Sequence, residues 1–127
     1  MTKLLLIFAA GGAGSVARYV VAGAAHRAAG AAFPVGTFIV NVAGCLLIGF
    51  LAAAFAGRWM IREEFRVAIL VGFLGGFTTF STFGYETFSL VTDGQWARAV
   101  ANAFGSIVVG LAAVWLGYRL AQGVLGA

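Results

Sequence analysis

GFLGGFTTFSTF, residues 72–83, is the stretch of sequence that decides the fold of this chain. It contains three glycines, four phenylalanines and four hydroxyl side chains, and it lies inside a long apolar segment. A bilayer core offers no water to backbone groups that a helix leaves unpaired. Irregular backbone is tolerated there only where protein or a wet path surrounds it. We predict that a membrane-spanning helix breaks here at mid-depth, as in known ion and solute sites.

The composition is that of an integral membrane protein. Hydrophobic residues make up 62% of the 127 residues and charged residues 9%, with a mean hydropathy of +1.02. Because soluble domains carry about 25% charged residues, this chain is too poor in charge to cover a water-facing surface. The formal charge of +4 includes no basic cluster interleaved with aromatics, so no nucleic-acid partner is expected.

Four apolar segments approach the length of about 20 residues that a transmembrane helix needs. The predicted fold is a single all-α domain, residues 1–127, in the cell (plasma or inner) membrane. Its four transmembrane helices are expected at about residues 3–25, 35–56, 67–91 and 96–120.

Four spans place both termini on one side of the membrane. That side holds five Lys/Arg residues and the other side three, which is a weak bias under the positive-inside rule. Two interpretations stay open: a single orientation with cytoplasmic termini, or insertion in both orientations with antiparallel pairing.

Two polar residues of the second span share one helix face. Thr37 and Asn41 are four residues apart, and that spacing aligns side chains along a helix. Asn41 is either a donor to a passing anion or an interhelical hydrogen bond that holds the bundle together. Arg18 in the first span either extends to the membrane interface or lines a water-filled vestibule that concentrates anions.

The third span offers further groups that suit an anion. Phe80 and Phe83 are three apart and lie on one side of a helix. They face lipid or core, or they present the positive edges of their rings to an anion. Ser81 and Thr82 add hydroxyl donors. A helix broken between Gly75 and Thr79 would also free carbonyl oxygens, which are hard ligands for a hard cation.

Three stretches resemble the signature motifs of the Fluc (CrcB) fluoride channels. They are GGAGSVARY at residues 11–19, GTFIVNVAG at 36–44 and GFLGGFTTFSTF at 72–83. The resemblance implies an antiparallel, dual-topology homodimer that exports fluoride passively through two pores and lowers cytoplasmic fluoride. It covers the first three spans well and the fourth only loosely.

The resemblance also implies roles for individual residues. Asn41, Phe80 and Phe83 would line the pore, with Ser81 and Thr82 on a polar track beside it. Backbone carbonyls of Gly75 and Thr78 from both subunits would hold a structural sodium ion, and Arg18 would lie in a vestibule. In the fourth span Ser106, four residues after Asn102, replaces the tyrosine or serine that often contributes there.

Two other functions compete with a channel. A four-span proton-coupled drug or cation antiporter needs a titratable carboxylate deep in the membrane, and Glu86, late in the third span, is the only candidate in the sequence. An assembly subunit without transport activity explains the glycines but not the hydroxyl cluster. No enzyme is expected, because the spans contain no nucleophile–base pair, metal cluster or phosphate loop.

Overall fold

The computed structural model describes residues 1–30 and 32–126, in which every regular element is a helix. The elements are α1 Thr2–Ala29, α2 Val35–Gly57, α3 Glu63–Val67, a π-helical segment Ala68–Phe73, α4 Leu74–Phe77, α5 Phe80–Thr92 and α6 Trp96–Leu125. Four helical stretches are long and apolar enough to cross a membrane: Thr2–Ala29, Val35–Gly57, Glu63–Thr92 and Trp96–Leu125. The predicted all-α fold with four spans is confirmed.

The spans extend further than the sequence predicts. The first continues to Ala29 and the fourth to Leu125, while the third begins at Glu63 rather than near residue 67. Glu63 and Glu64 occupy the first turn of α3, where negative charge is favourable at the positive end of the helix dipole. Lys3 Nζ donates to Glu63 Oε1 at 2.7 Å. These charged residues therefore begin the helix, four residues before the predicted start of the third span.

Both termini lie at the same end of the bundle. The Lys3–Glu63 ion pair connects the start of α1 to the segment that follows α2. At the other terminus, a Cβ added to Gly126 would lie 3.3 Å from Arg58 Nη2. The arrangement agrees with the side assignment made from the four spans.

The helices pack through small residues, as expected in a membrane. A Cβ at Gly14 of α1 would lie 2.1 Å from the carbonyl oxygen of Phe73, so the two backbones touch. Between α2 and α6, the same construction at Gly49 and Gly117 gives 2.1 and 2.0 Å to backbone oxygens. Large apolar side chains lie on the outside instead; Phe8 and Tyr19 are both 83% exposed.

The third span is irregular at two places. The π-helical segment Ala68–Phe73 carries wider backbone turns than an α-helix, a feature that often occurs at functional sites. The helix then stops after Phe77 and restarts at Phe80. The break that the sequence predicts is therefore present, at Thr78 and Thr79.

Candidate functional site

The helix break consists of two extended residues. Thr78 has φ −93° and ψ 160°, and Thr79 has φ −151° and ψ 121°. Thr79 then acts as the N-cap of α5, because its Oγ1 accepts a hydrogen bond from the backbone N–H of Thr82 at 3.3 Å. A threonine hydroxyl in this position satisfies one of the free donors at a helix start.

Asn41, on the neighbouring helix α2, stabilises the helix break through two hydrogen bonds to the backbone of Thr79. Its Nδ2 donates to the carbonyl of Thr79 at 2.9 Å, and the N–H of Thr79 donates to its Oδ1 at 2.8 Å. One side chain therefore satisfies both backbone groups of the extended residue, which lipid alone would leave unpaired. Asn41 thus forms the interhelical bond that one of its two interpretations predicts. Its Nδ2 carries a second N–H.

A neutral cavity of about 380 Å³, here called the inner pocket, lies beside the break. Among the described residues that line it, none carries a carboxylate, ammonium or guanidinium group. Ser106 Oγ of α6 is buried there without a hydrogen-bond partner in the described chain. The lining residues are Asn41, Gly44, Cys45, Ile48, Leu70, Leu74, Gly75, Thr78, Thr79, Phe80, Phe83, Ser106 and Ile107.

Two phenylalanine rings from α5 lie together at this pocket. The centroids of Phe80 and Phe83 are 5.6 Å apart, with planes inclined by 39°. Phe80 is 83% exposed in the single chain, so most of its ring is free to meet another molecule. The expectation that the two rings lie on one side of the helix is therefore met.

A larger cavity of about 800 Å³, here called the outer pocket, opens on the other side of the break. Arg18 and Arg98 line it together with Glu86 and Asp93, so it is charged where the inner pocket is neutral. Thr37 Oγ1 donates to Glu86 Oε1 at 2.8 Å inside it. Thr79 lines both pockets, which places the helix break between them.

The predicted site residues divide between the two pockets. Asn41, Phe80, Phe83 and Ser106 line the inner pocket, as do Gly75 and Thr78, whereas Arg18, Thr37 and Thr82 line the outer one. Ser81 lines neither; it is exposed, and its Oγ lies 3.5 Å from Thr79 Oγ1.

The carbonyls of Gly75 and Thr78 have lost their helical donors. In a continuous helix they would accept from the N–H groups of Thr79 and Thr82. Those two N–H groups donate instead to Asn41 Oδ1 and to Thr79 Oγ1. Space around Gly75 is open, since nothing lies within 4 Å of a Cβ built there.

Sequence reasoning missed three contributors to this region. Thr79 has no predicted role of its own within the broken stretch, yet it is the residue that both Asn41 and Thr82 contact. Thr87 and Asn102 were not assigned roles, yet Asn102 is 1% exposed and donates to Thr87 Oγ1 at 2.9 Å. A polar residue at a buried position of a membrane helix is the available signal.

The fold and the two pockets define a small multi-pass membrane protein with polar groups gathered at a broken helix. Residues 5–118 match the family described as "CrcB-like protein, Camphor Resistance (CrcB)", and the chain belongs to that family. The match confirms the resemblance seen in the three sequence motifs.

Curated relatives align over nearly the whole chain. A protein from Nitratidesulfovibrio vulgaris is 48% identical over 117 residues, covering 92% of this chain and 94% of its own length. Proteins from Solibacter usitatus and Geobacter sulfurreducens are 46% and 45% identical, covering 94% and 96% of this chain and 98% of each relative. All three are named "Fluoride-specific ion channel FluC".

Proposed function

We propose that this protein is a fluoride-selective ion channel that lets fluoride leave the cell passively and so lowers cytoplasmic fluoride. The relatives that share 45–48% of its sequence are named fluoride-specific ion channels, which are transport proteins and not enzymes. The observation that carries the proposal is the inner pocket, because it gathers neutral anion-binding groups at a break in a membrane helix.

The inner pocket offers donors without a fixed positive charge. Ser106 Oγ is unpartnered, Asn41 has a second N–H, and the Phe80 and Phe83 rings line the pocket. The edge of such a ring is positive and can lie against an anion. Conduction needs binding that is strong enough for entry and weak enough for release. Neutral donors meet both needs for a small anion better than a buried arginine or lysine, which would hold it.

The outer pocket suits the role of an entrance. Arg18 and Arg98 stand there, and positive charge in a cleft raises the local anion concentration. Thr37 and Thr82 provide hydroxyls between this entrance and the break. An anion would thus lose water gradually along the way to the neutral pocket.

The position of Glu86 argues against a proton-coupled antiporter. Its carboxylate lies in the outer pocket, bonded to Thr37, and not at the helix break. A coupling carboxylate is expected to share the substrate site deep in the membrane. The unpartnered polar groups at the break likewise favour a transport path over an assembly subunit. An unsatisfied polar group inside a membrane destabilises the protein, and a passing ion would give these groups a partner.

We further propose that two copies pair antiparallel as a dual-topology homodimer. Phe80 is 83% exposed although it lines the inner pocket, and Phe104 and Ile107 of α6 are also largely exposed. A second copy on this face would close the pocket into a pore. The weak Lys/Arg bias between the two ends of the bundle permits insertion in both orientations.

A structural sodium ion on the two-fold axis is the last part of the proposal. Gly75 and Thr78 each supply a carbonyl without its helical donor, so two subunits offer four neutral oxygens. Such a set fits a hard monovalent cation, whereas a divalent ion normally recruits carboxylates. Bound there, the ion would join the two broken helices and add positive charge near the anion paths.

Fluoride release from liposomes tests the proposed function. Vesicles loaded with potassium fluoride, containing only this protein and kept in sodium-containing buffer so that the proposed cation site stays filled, should release fluoride once valinomycin balances the charge, as a fluoride electrode records. Vesicles loaded with potassium chloride are the matched control and should retain chloride. Absence of fluoride release from vesicles with folded protein would refute the proposal, and equal release of both anions would refute the selectivity.

A further inference from the structure

A hydrogen-bond relay outside both pockets connects α6 to the helix that carries the phenylalanines. Asn102 is 1% exposed, and its Nδ2 donates to Thr87 Oγ1 at 2.9 Å. Thr87 Oγ1 in turn donates to the carbonyl of Phe83, one turn earlier on α5, at 2.8 Å. The relay therefore ends on the backbone of a residue whose ring lines the inner pocket.

The same relay fixes Ser106 relative to Phe83. Asn102 and Ser106 are four residues apart on α6, so they lie one above the other on one helix face. Phe83 and Thr87 have the same spacing on α5. The bond between Asn102 and Thr87 thus sets the register of two helices one turn away from the place where Ser106 Oγ and the Phe83 ring meet the inner pocket.

Neither polar group of the relay is placed to touch a conducted ion. Asn102 and Thr87 are absent from the linings of both pockets. Thr87 also engages its single hydroxyl proton in the bond to Phe83. An amide buried in a membrane helix needs a hydrogen-bond partner. The partner of Asn102 is Thr87, and this bond aligns α6 with α5.

We propose that Asn102 and Thr87 are positioning residues, which hold the Phe83 ring and the Ser106 hydroxyl at the spacing that distinguishes fluoride from the larger chloride. The proposal rests on the proposed function. Loss of the relay would let α5 shift against α6 and widen the inner pocket. A wider pocket favours an anion that is larger and more easily dehydrated, so selectivity falls before the protein unfolds.

The decisive variant is Thr87→Val, because valine has the shape of threonine and lacks the hydroxyl. We expect a fall in the fluoride-to-chloride flux ratio of about fivefold to tenfold, the range that one buried hydrogen bond allows. Thr87→Ser retains the hydroxyl and should restore the ratio. Thr92→Val is the matched control: it removes a hydroxyl that bonds to Ser89 of the same helix and should leave the ratio unchanged.

A double-mutant cycle distinguishes the relay from two independent residues. Asn102→Leu should lower the flux ratio as Thr87→Val does, and the double variant should be no worse than either single one. Thermal unfolding of each variant accompanies the flux, so that a general loss of packing is recognised by a lowered melting temperature. If Asn102→Leu does not reconstitute, Thr87→Val and its serine rescue carry the test.

The outcomes separate this inference from the proposed function. Wild-type vesicles that release no fluoride refute the channel itself. Wild-type vesicles that conduct, together with Thr87→Val vesicles whose flux ratio equals that of Thr92→Val, refute the relay and leave the channel standing. A lowered ratio in Thr87→Val with wild-type behaviour in Thr87→Ser supports the positioning role.

Discussion

Asn41→Asp replaces the amide beside the helix break with a carboxylate of the same shape. The aspartate can still accept from the Thr79 N–H, which now lies 2.8 Å from Asn41 Oδ1, but it cannot donate to the Thr79 carbonyl at 2.9 Å. The substitution therefore adds a negative charge to the inner pocket and leaves one backbone oxygen of the break without its partner.

The charge is the larger of these two effects on conduction. At an effective dielectric constant of about 20, a fluoride about 4 Å from a carboxylate is repelled by about 4 kcal/mol. Because about 1.4 kcal/mol changes an equilibrium tenfold, occupancy of the pocket should fall roughly a thousandfold. The orphaned carbonyl destabilises the fold by about 1–3 kcal/mol, which lowers the melting temperature without abolishing folding.

Fluoride release from liposomes measures the effect, with two companion variants. Gln122→Glu makes the same amide-to-carboxylate change near the end of α6, where Gln122 contacts Arg119, and should leave flux unchanged. Asn41→Ala removes both bonds to Thr79 without adding charge, and we expect a smaller loss of flux than with Asn41→Asp. Wild-type flux through Asn41→Asp in folded protein would place Asn41 off the ion path and refute the reasoning.

The other predictions concern the rings, the packing, the topology and the cation. Phe80→Ile and Phe83→Ile keep bulk but remove the positive ring edges, so fluoride flux from liposomes should fall strongly while size-exclusion chromatography still gives a dimer; normal flux from both variants would sink the ring-edge idea. Gly14→Ala should lower the free energy of unfolding by about 1–3 kcal/mol through overpacking, because the new Cβ would lie 2.1 Å from the Phe73 carbonyl oxygen. The melting temperature should fall accordingly. Gly12→Ala, whose Cβ would meet nothing within 4 Å, should be neutral, and equal melting temperatures of the two variants would contradict the packing. A C-terminal reporter tag should be found on both sides of the membrane, and two or three lysines added to one terminus should bias insertion and reduce fluoride export; detection on the cytoplasmic side only would rule out dual insertion. Replacing sodium by a much larger monovalent cation should weaken the dimer or lower flux, whereas Thr78→Ser should have little effect because the backbone supplies the ligand; an unchanged dimer and flux would argue against the cation site.

The helix break was readable from the sequence because its signal is local. Glycines and hydroxyls cluster at residues 72–83 inside an apolar span, and few other structures explain that combination in lipid. The four spans were readable for the same reason, since length and hydropathy alone define them. The start of the third span was not, because two effects outside the apolar pattern favour a helix at Glu63 and Glu64: the helix dipole and the contact of Glu63 with Lys3.

The contacts between helices were beyond the sequence. Thr37 and Asn41 share a face, yet only the packing of α2 on the third span reveals that one meets Glu86 and the other meets Thr79. The register that brings Asn102 to Thr87 likewise depends on how α5 and α6 pack. Ser81 shows that a sequence motif can also suggest too many site residues. Its neighbours Phe80 and Thr82 each line a pocket, whereas Ser81 lines neither.

The most direct test of the central claim is the reversal potential of the purified protein in a planar bilayer. A passive fluoride channel predicts a shift of about 59 mV for each tenfold change in the fluoride gradient, with no shift when chloride or pH is changed on one side. A reversal potential that follows the pH gradient would indicate proton coupling, and one that follows chloride would indicate an unselective pore. Either result would contradict the central claim that the protein is a passive, fluoride-selective channel.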